Sequence, residues 1–84
     1  MAKSFQRFIQ SDKRNELVIE FLDPSMTFGR GTNVYKLSEI KNKRLTFDDV
    51  EKDFKDFGET SIRQIRNAFE LIANQPKKKK GYGF

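Results

Sequence analysis

The sequence predicts one small α+β domain, and three observations point to it. Its 84 residues leave room for a single hydrophobic core. One apolar run in the first half alternates with the period of a strand, and two stretches in the second half have helical apolar spacing. We therefore expect a single domain over residues 1–76 with a short N-terminal helix, a β-hairpin and two C-terminal helices, followed by a basic tail or wing over residues 77–84.

The first predicted element is the short N-terminal helix. Phe5, Phe8 and Ile9 have the i, i+3, i+4 spacing of one helix face, and a polar stretch follows them at residues 11–15. The next apolar residues do not continue this helix, because at about 100° per residue they scatter around its whole circumference.

The second element is a strand over residues 16–22. Leu17, Ile19 and Phe21 point to one side of it, and Asp23-Pro24 ends it with turn chemistry. Residues 34–37 offer a shorter second strand, so the pair predicts a hairpin with a long loop.

The loop of this hairpin spans residues 25–33. Its Gly29 and Gly31 flank Arg30 and predict positive backbone angles. The Arg30 guanidinium, preceded by Phe28, is a candidate contact for a phosphate or a groove.

The third element is an amphipathic helix over residues 46–57. Its apolar residues recur at intervals of three, four and three residues along one stripe: Phe47, Val50, Phe54 and Phe57. Thr46 is the predicted N-cap, and Gly58 is the predicted left-handed C-terminal cap.

The last helix is predicted from a cap at Thr60 or Ser61 to about Asn74. Its apolar stripe consists of Ile62, Ile65, Ala68, Phe69 and Ile72. We expect one core shared by the apolar faces of both helices and the first strand, formed by Phe47, Val50, Phe54, Ile62, Ile65, Phe69, Ile72, Leu17, Ile19 and Phe21.

The composition excludes most catalytic designs. The chain has no Cys and no His, which removes thiolate chemistry and the commonest metal ligand and general base. Asp48 and Asp49 do not face each other on a helix, and helix capping explains both, so we expect no metal site and no cofactor. We predict a protein that is not an enzyme.

The net charge of +5 is unevenly distributed along the chain. It is +4 over residues 1–45, −4 over residues 46–60 and +5 over residues 61–84. A basic balance suits nucleic acid, an anionic membrane surface or an acidic protein. No apolar run reaches membrane-spanning length and no apolar signal stretch follows Met1, so we expect a soluble, cytoplasmic protein without membrane contact.

Two amphipathic helices joined by about three residues around Gly58 are typical of a helix-turn-helix. Residues 45–84, LTFDDVEKDFKDFGETSIRQIRNAFELIANQ followed by the basic PKKKKGYGF, resemble winged helix-turn-helix DNA-binding domains. The resemblance implies a winged-helix-like fold in which the second helix of the motif, residues 61–74, lies in the major groove and the following segment acts as a wing.

The predicted nucleic-acid-binding residues follow from this resemblance and from the chemistry of the side chains. Opposite its apolar stripe the last helix carries residues that hydrogen-bond base edges or phosphates: Ser61, Arg63, Gln64, Arg66 and Asn67. The tail adds Lys77, Lys78, Lys79 and Lys80, which would neutralise phosphates with strong salt dependence. Arg30 completes the set.

The leading hypothesis is a non-enzymatic DNA-binding protein that acts in the regulation of transcription, in replication or in recombination. RNA remains open as a ligand, and so does a homodimer on a two-fold site. The alternative is a small inhibitor or adaptor of phage or plasmid type, which would dock on a larger host protein through the acidic helix at residues 46–57. A structural RNA-binding protein of the translation machinery fits the size and the basic tail but not that helix.

Overall fold

A three-stranded antiparallel sheet with helices packed on one face forms the core of the fold. The computed structural model describes residues 2–75. The strands β1 (Ser4–Ser11), β2 (Glu16–Leu22) and β3 (Arg30–Lys36) follow one another in the order β1-β2-β3. They are followed by α1 (Leu37–Lys41), α2 (Phe47–Val50), a 3₁₀ turn (Glu51–Phe54) and α3 (Glu59–Ala73). The predicted α+β class is confirmed.

The predicted N-terminal helix is wrong, because residues 4–11 form the edge strand β1. A bulge explains the helix-like spacing of its apolar residues. Phe5 pairs with Phe21 and Arg7 pairs with Glu20, so Gln6 is an extra residue between two successive pairs. The extra residue turns both Phe5 and Phe8 toward the core although they are three positions apart.

The predicted strand over residues 16–22 is confirmed as β2, the central strand of the sheet. Its inward residues Leu17, Ile19 and Phe21 are buried. The hairpin from β2 to β3 is also confirmed, but β3 begins at Arg30 and not near residue 34. The prediction that Arg30 lies in the loop is therefore wrong: it faces outward from the sheet opposite Leu22.

The first short helix, α1, was not predicted from the sequence. It follows β3 without a break and buries only two side chains, Leu37 and Ile40. This helix has five residues and one apolar pair. A pattern that short does not distinguish a helix from the end of a strand.

The predicted helix over residues 46–57 exists as two shorter pieces, α2 and the 3₁₀ turn. Thr46 is confirmed as the N-cap: the Asp49 carboxylate accepts hydrogen bonds from the Thr46 backbone N–H (2.9 Å) and hydroxyl (3.2 Å). The prediction for Gly58 is wrong. It has a φ of −67° and a ψ of 157° and serves as the N-cap of α3, so α3 begins at Glu59 and not at a Thr60 or Ser61 cap.

The core is confirmed in its membership and is largely aromatic. All of the predicted core residues lie in it, with Ile62 at its margin. Phe54 contacts Phe47 in a stacked arrangement and Phe57 edge-on, with centroids 5.9 and 5.1 Å apart. Such pairs add stabilisation beyond the area they bury.

Candidate nucleic-acid interface

The exposed face of α3 carries three of the predicted nucleic-acid-binding residues. Arg63, Gln64 and Asn67 are exposed and adjacent on the helix surface, at i, i+1 and i+4. None of their side chains forms a hydrogen bond or ion pair within residues 2–75. They are available to a ligand.

Arg66 is engaged in contacts with α2. Its guanidinium lies 4.7 Å from the centre of the Phe47 ring, and its Nη1 lies 3.6 Å from the Asp48 carboxylate. The stacking on Phe47 is a cation–π contact that ties α3 to α2. Arg66 therefore has a structural role that the sequence pattern did not indicate, and α3 presents less free charge than predicted.

Ser61 does not lie on the exposed face of α3, and that prediction is wrong. It is 7% exposed, and its Oγ accepts a hydrogen bond from the backbone N–H of Phe5 at 2.9 Å. Residue 61 shares a side of the helix with the buried Ile65 and Ala68, so it belongs to the side that packs against β1.

The turn between β1 and β2 packs against α1 and brings two basic segments together. The Asn15 side chain accepts a hydrogen bond from the Ser38 backbone N–H (2.7 Å) and donates one to the Ser38 hydroxyl (3.1 Å). The Leu37 N–H donates to the Asn15 carbonyl, and Lys41 forms an ion pair with Asp12 at 3.4 Å. Asn15 holds this turn with a φ of 57°.

Six basic residues lie in these two segments, and we call them the basic end: Lys13, Arg14, Lys36, Lys41, Lys43 and Arg44. The acids in the same segments are Asp12, Glu16 and Glu39, so positive charge is in excess. All of the basic end except Lys41 is exposed. The sequence already showed the charge excess of residues 1–45, but only the packing of the turn on α1 places these residues together.

The C-terminus of α3 reaches the same region. Gln75 and Gln10 exchange two hydrogen bonds between their side-chain amides, at 2.8 and 2.9 Å. The Lys43 ammonium donates to the carbonyl oxygen of Ala73 at 3.3 Å. The predicted contacts Lys77, Lys78, Lys79 and Lys80 follow Gln75 in the sequence but lie outside the described residues.

Arg30 lies on the face of the sheet that no helix covers, which we call the open face. It lines a shallow cleft of about 570 Å³ together with Gln6, Arg7, Glu20 and Thr32. The Arg7 Nε donates to Glu20 at 2.7 Å, whereas the Arg30 side chain has no hydrogen-bond or ion-pair partner among the residues that the structure describes. Arg30 thus carries a free positive charge at this cleft.

The carboxylates of residues 48–56 form an acidic surface: Asp48, Asp49, Glu51, Asp53 and Asp56. Several of them have structural partners. Asp49 caps α2, and Asp53 accepts a hydrogen bond from the Tyr35 hydroxyl at 3.0 Å. Burial of the Tyr35 ring, together with this bond, raises the pKa of the phenol above its usual range.

Within residues 2–75 no three His, Cys, Asp or Glu side chains are grouped as a metal site would require. None of the helices in this part of the chain has the length and apolar character needed to cross a membrane. No protein-family model, curated protein or solved structure matches the chain, so its own residues carry the functional argument.

Proposed function

We propose that this protein is a non-enzymatic nucleic-acid-binding protein that holds phosphates with its basic end. One observation supports this most directly: the packing of the β1–β2 turn on α1 gathers six basic residues, five of them exposed, from two separate segments. Phosphate contacts by Lys and Arg supply most of the affinity in sequence-independent binding to nucleic acid.

DNA is the ligand that the proposal favours. The C-terminus of α3 adjoins the basic end, because Lys43 contacts the last turn of α3 at Ala73. Arg63, Gln64 and Asn67 on that face have the donors and acceptors used to read base edges, while the basic end positions the backbone. A protein of this kind would act in transcription regulation, replication or recombination. The winged-helix character of residues 45–84 stays part of the proposal.

Binding should be measured by fluorescence anisotropy with labelled duplex DNA, single-stranded DNA and RNA at about 50 and about 200 mM salt. The test variant is Arg14→Glu with Arg44→Glu, since both side chains are exposed and have no side-chain partner within residues 2–75. Removing two phosphate contacts should lower the slope of log Kd against log salt by about 2.

The matched control is Lys52→Glu with Lys55→Glu, which changes the net charge equally but lies among the carboxylates of the acidic surface. This control should leave the salt slope unchanged. Equal losses of affinity in both variants would mean that only the overall charge of the protein matters. The absence of binding by the wild type at low salt would refute the proposal.

A second function, docking on a partner protein through the acidic surface, has its own supporting observation. A cleft of about 520 Å³ lies between Asp48, Glu51, Lys52 and Lys55, with the half-buried Ile62 in its lining. Ile62 is the one apolar member of this lining, and protein interfaces likewise combine an apolar centre with a polar rim. The partner would have to present basic residues, because the acidic surface carries more carboxylates than ammonium groups.

A further inference from the structure

The loop between β2 and β3 presents a fully exposed aromatic side chain on an ordered backbone. Phe28 is 90% exposed, and Met26 beside it is 47% exposed. An isolated exposed aliphatic residue on a surface needs no explanation, but a Phe exposed to this degree leaves almost its entire apolar ring in water.

The loop backbone is fixed by a chain of hydrogen bonds. The Asp23 N–H donates to the Gly29 carbonyl (2.9 Å), the Met26 N–H to the Asp23 carbonyl (3.1 Å) and the Gly29 N–H to the Met26 carbonyl (3.1 Å). Gly29 closes the loop with a φ of 68°, a conformation that favours glycine. These bonds fix the backbone on either side of Phe28.

The buried Asp23 carboxylate anchors the loop to the sheet. Its Oδ1 accepts hydrogen bonds from the Ser25 hydroxyl (2.7 Å) and the Ser25 N–H (3.0 Å), and its Oδ2 lies 3.9 Å from the Lys3 ammonium. These contacts, led by the Ser25 hydroxyl, lower the pKa of Asp23, so the anchor is ionised at neutral pH.

Two arginines, Arg7 and Arg30, line the cleft at the β3 end of this loop. Arg30 follows Phe28 by two residues and has a free guanidinium, as described above. Arg7 is bound to Glu20 only through its Nε, which leaves both terminal nitrogens of its guanidinium without a partner inside residues 2–75. The cleft that these arginines line is also bordered by hydrogen-bonding groups of Gln6 and Thr32.

The cleft also holds the Glu20 carboxylate, which pairs with Arg7 and leaves Arg30 as its unpaired cation. An exposed ring, this unpaired guanidinium, the free terminal nitrogens of Arg7 and a polar cleft together match one ligand chemistry, that of an unpaired nucleotide. Bases stack on exposed aromatic rings, and guanidinium groups bind the adjoining phosphates. The lining of this cleft is mostly charged or polar, with Phe21 and Leu22 as its apolar members, and it therefore suits a phosphate better than the apolar core of a protein interface.

We propose that the β2–β3 loop captures an unpaired base of a single strand of nucleic acid, with the base stacked on Phe28 and the adjoining phosphates held by Arg30 and Arg7. This proposal rests on the proposed function, and it adds a single-strand contact to the contacts proposed above. The loop and the basic end lie at opposite ends of β2, about 20 Å apart along its seven residues. One strand crossing the open face can therefore contact both.

The test compares Phe28→Ala, Phe28→Leu and Phe28→Trp for binding to labelled oligothymidylate and to a duplex of the same length. Loss of stacking in the Ala and Leu variants should weaken single-strand binding roughly tenfold and leave duplex binding unchanged. Leu keeps an apolar side chain, so it separates stacking from simple hydrophobic contact. Phe28 is so exposed that all three variants should fold, which a thermal melt checks.

Phe28→Trp supplies a direct reporter, because the chain contains no other Trp. This variant should retain single-strand affinity, and its fluorescence should be quenched by oligothymidylate but not by the duplex. Unchanged fluorescence on binding, or equal single-strand affinity in the Ala variant and the wild type, would overturn the proposal while the proposed function stands. If the wild type binds neither ligand, both fail together.

Arg30→Ala should lower the salt slope of single-strand binding by about 1, since one phosphate contact is lost. Phe28→Ala should lower the affinity without altering that slope. If Arg30→Ala leaves the salt slope unchanged and Phe28→Ala leaves the affinity unchanged, the cleft is not the binding site.

Discussion

The Ser61 hydroxyl accepts a hydrogen bond from the backbone N–H of Phe5 at 2.9 Å, across 56 positions of sequence. β1 is an edge strand, and an edge strand presents unpaired backbone groups on one side. Ser61 satisfies one of these donors from the first turn of α3. The residue that the sequence suggested for DNA contact instead joins the sheet to the helix layer.

We expect Ser61→Ala to lower the free energy of unfolding by about 1–2 kcal/mol, because it leaves a partly buried N–H of β1 without an acceptor. Nucleic-acid binding by the folded variant should be unchanged. Thr60→Ala, at an exposed neighbouring position, is the control and should change stability by no more than about 0.5 kcal/mol. Chemical denaturation measures both, and a loss of binding in folded Ser61→Ala would return this residue to the interface.

Two glycines should differ in how far replacement by alanine changes the stability of the fold. A Cβ at Gly31 would lie 2.5 Å from the Phe21 ring, and that ring is 7% exposed and packed edge-on against Phe57. Gly31→Ala should therefore destabilise the fold by about 1–3 kcal/mol.

Gly58 is the control for this substitution, because a Cβ there would meet nothing within 4 Å and its φ of −67° suits any residue. We expect Gly58→Ala to stay within about 0.5 kcal/mol of the wild type, since a smaller unfolded-state entropy offsets a weaker N-cap. Similar melting temperatures for the two variants would contradict the packing described for Phe21.

The sequence predicted the elements whose apolar period is long and regular, and it failed where one residue shifts the period. β2, α3 and the aromatic core were predicted because their buried positions repeat without interruption. β1 was mistaken for a helix because the bulge at Gln6 gives a strand the spacing of a helix. No local pattern indicates such a bulge, since it depends on the pairing with β2.

The candidate interface was predictable only in part, for a similar reason. Exposure of Arg63, Gln64 and Asn67 follows from helical phase alone. The stacking of Arg66 on Phe47 and the placement of the β1–β2 turn beside α1 depend on tertiary contacts between separate elements. Charge counts over a segment indicate how many basic residues there are, but not which ones meet.

Replacing Lys43 by glycine should change stability and nucleic-acid binding in opposite directions. It has a φ of 61°, a left-handed conformation that is strained for a residue with a Cβ. Lys43→Gly relieves this strain but loses the exposed hydrogen bond from the Lys43 ammonium to the Ala73 carbonyl. The free energy of unfolding should therefore rise by at most about 1 kcal/mol after the entropy of glycine is counted. The same change removes one cation of the basic end, so the salt slope of binding should fall by about 1.

The control for Lys43 is Lys55→Gly, at an exposed position with a φ of −66°. Here glycine relieves no strain, and stability should fall by about 0.5–1 kcal/mol. Binding should not change. If Lys43→Gly is both less stable and fully active, neither the strain nor the phosphate contact assigned to Lys43 is correct.

The raised pKa of Tyr35 predicts a loss of stability at high pH. Burial and the bond to Asp53 raise the pKa of its phenol in the folded state, whereas in the unfolded chain it titrates near pH 10. The stability it contributes is therefore complete below about pH 10 and decreases as the pH rises further, because the unfolded state releases the proton first. Tyr35→Phe should remove this part of the decline. Parallel pH profiles for wild type and Tyr35→Phe between pH 9 and about 11 would contradict the effect of partial burial and of the Asp53 bond on the pKa of Tyr35.

The acidic surface distinguishes the two proposed functions, because nucleic acid must avoid it whereas a basic protein partner must touch it. Glu51→Lys with Asp56→Lys reverses two exposed charges whose side chains form no hydrogen bond or ion pair within residues 2–75, and it spares Asp53, which holds Tyr35. If the protein binds nucleic acid, the double variant should bind it more tightly, since local repulsion falls and two cations are added. A gain that disappears at high salt identifies this cause. Glu51→Gln with Asp56→Gln is the matched control and should give about half the effect, because it removes two negative charges without adding positive ones.

If the acidic surface docks on a basic partner, reversing the charges of Glu51 and Asp56 slows association by placing like charges against each other. Weaker nucleic-acid binding in a variant that circular dichroism shows to be folded would refute the nucleic-acid proposal and favour docking on a protein.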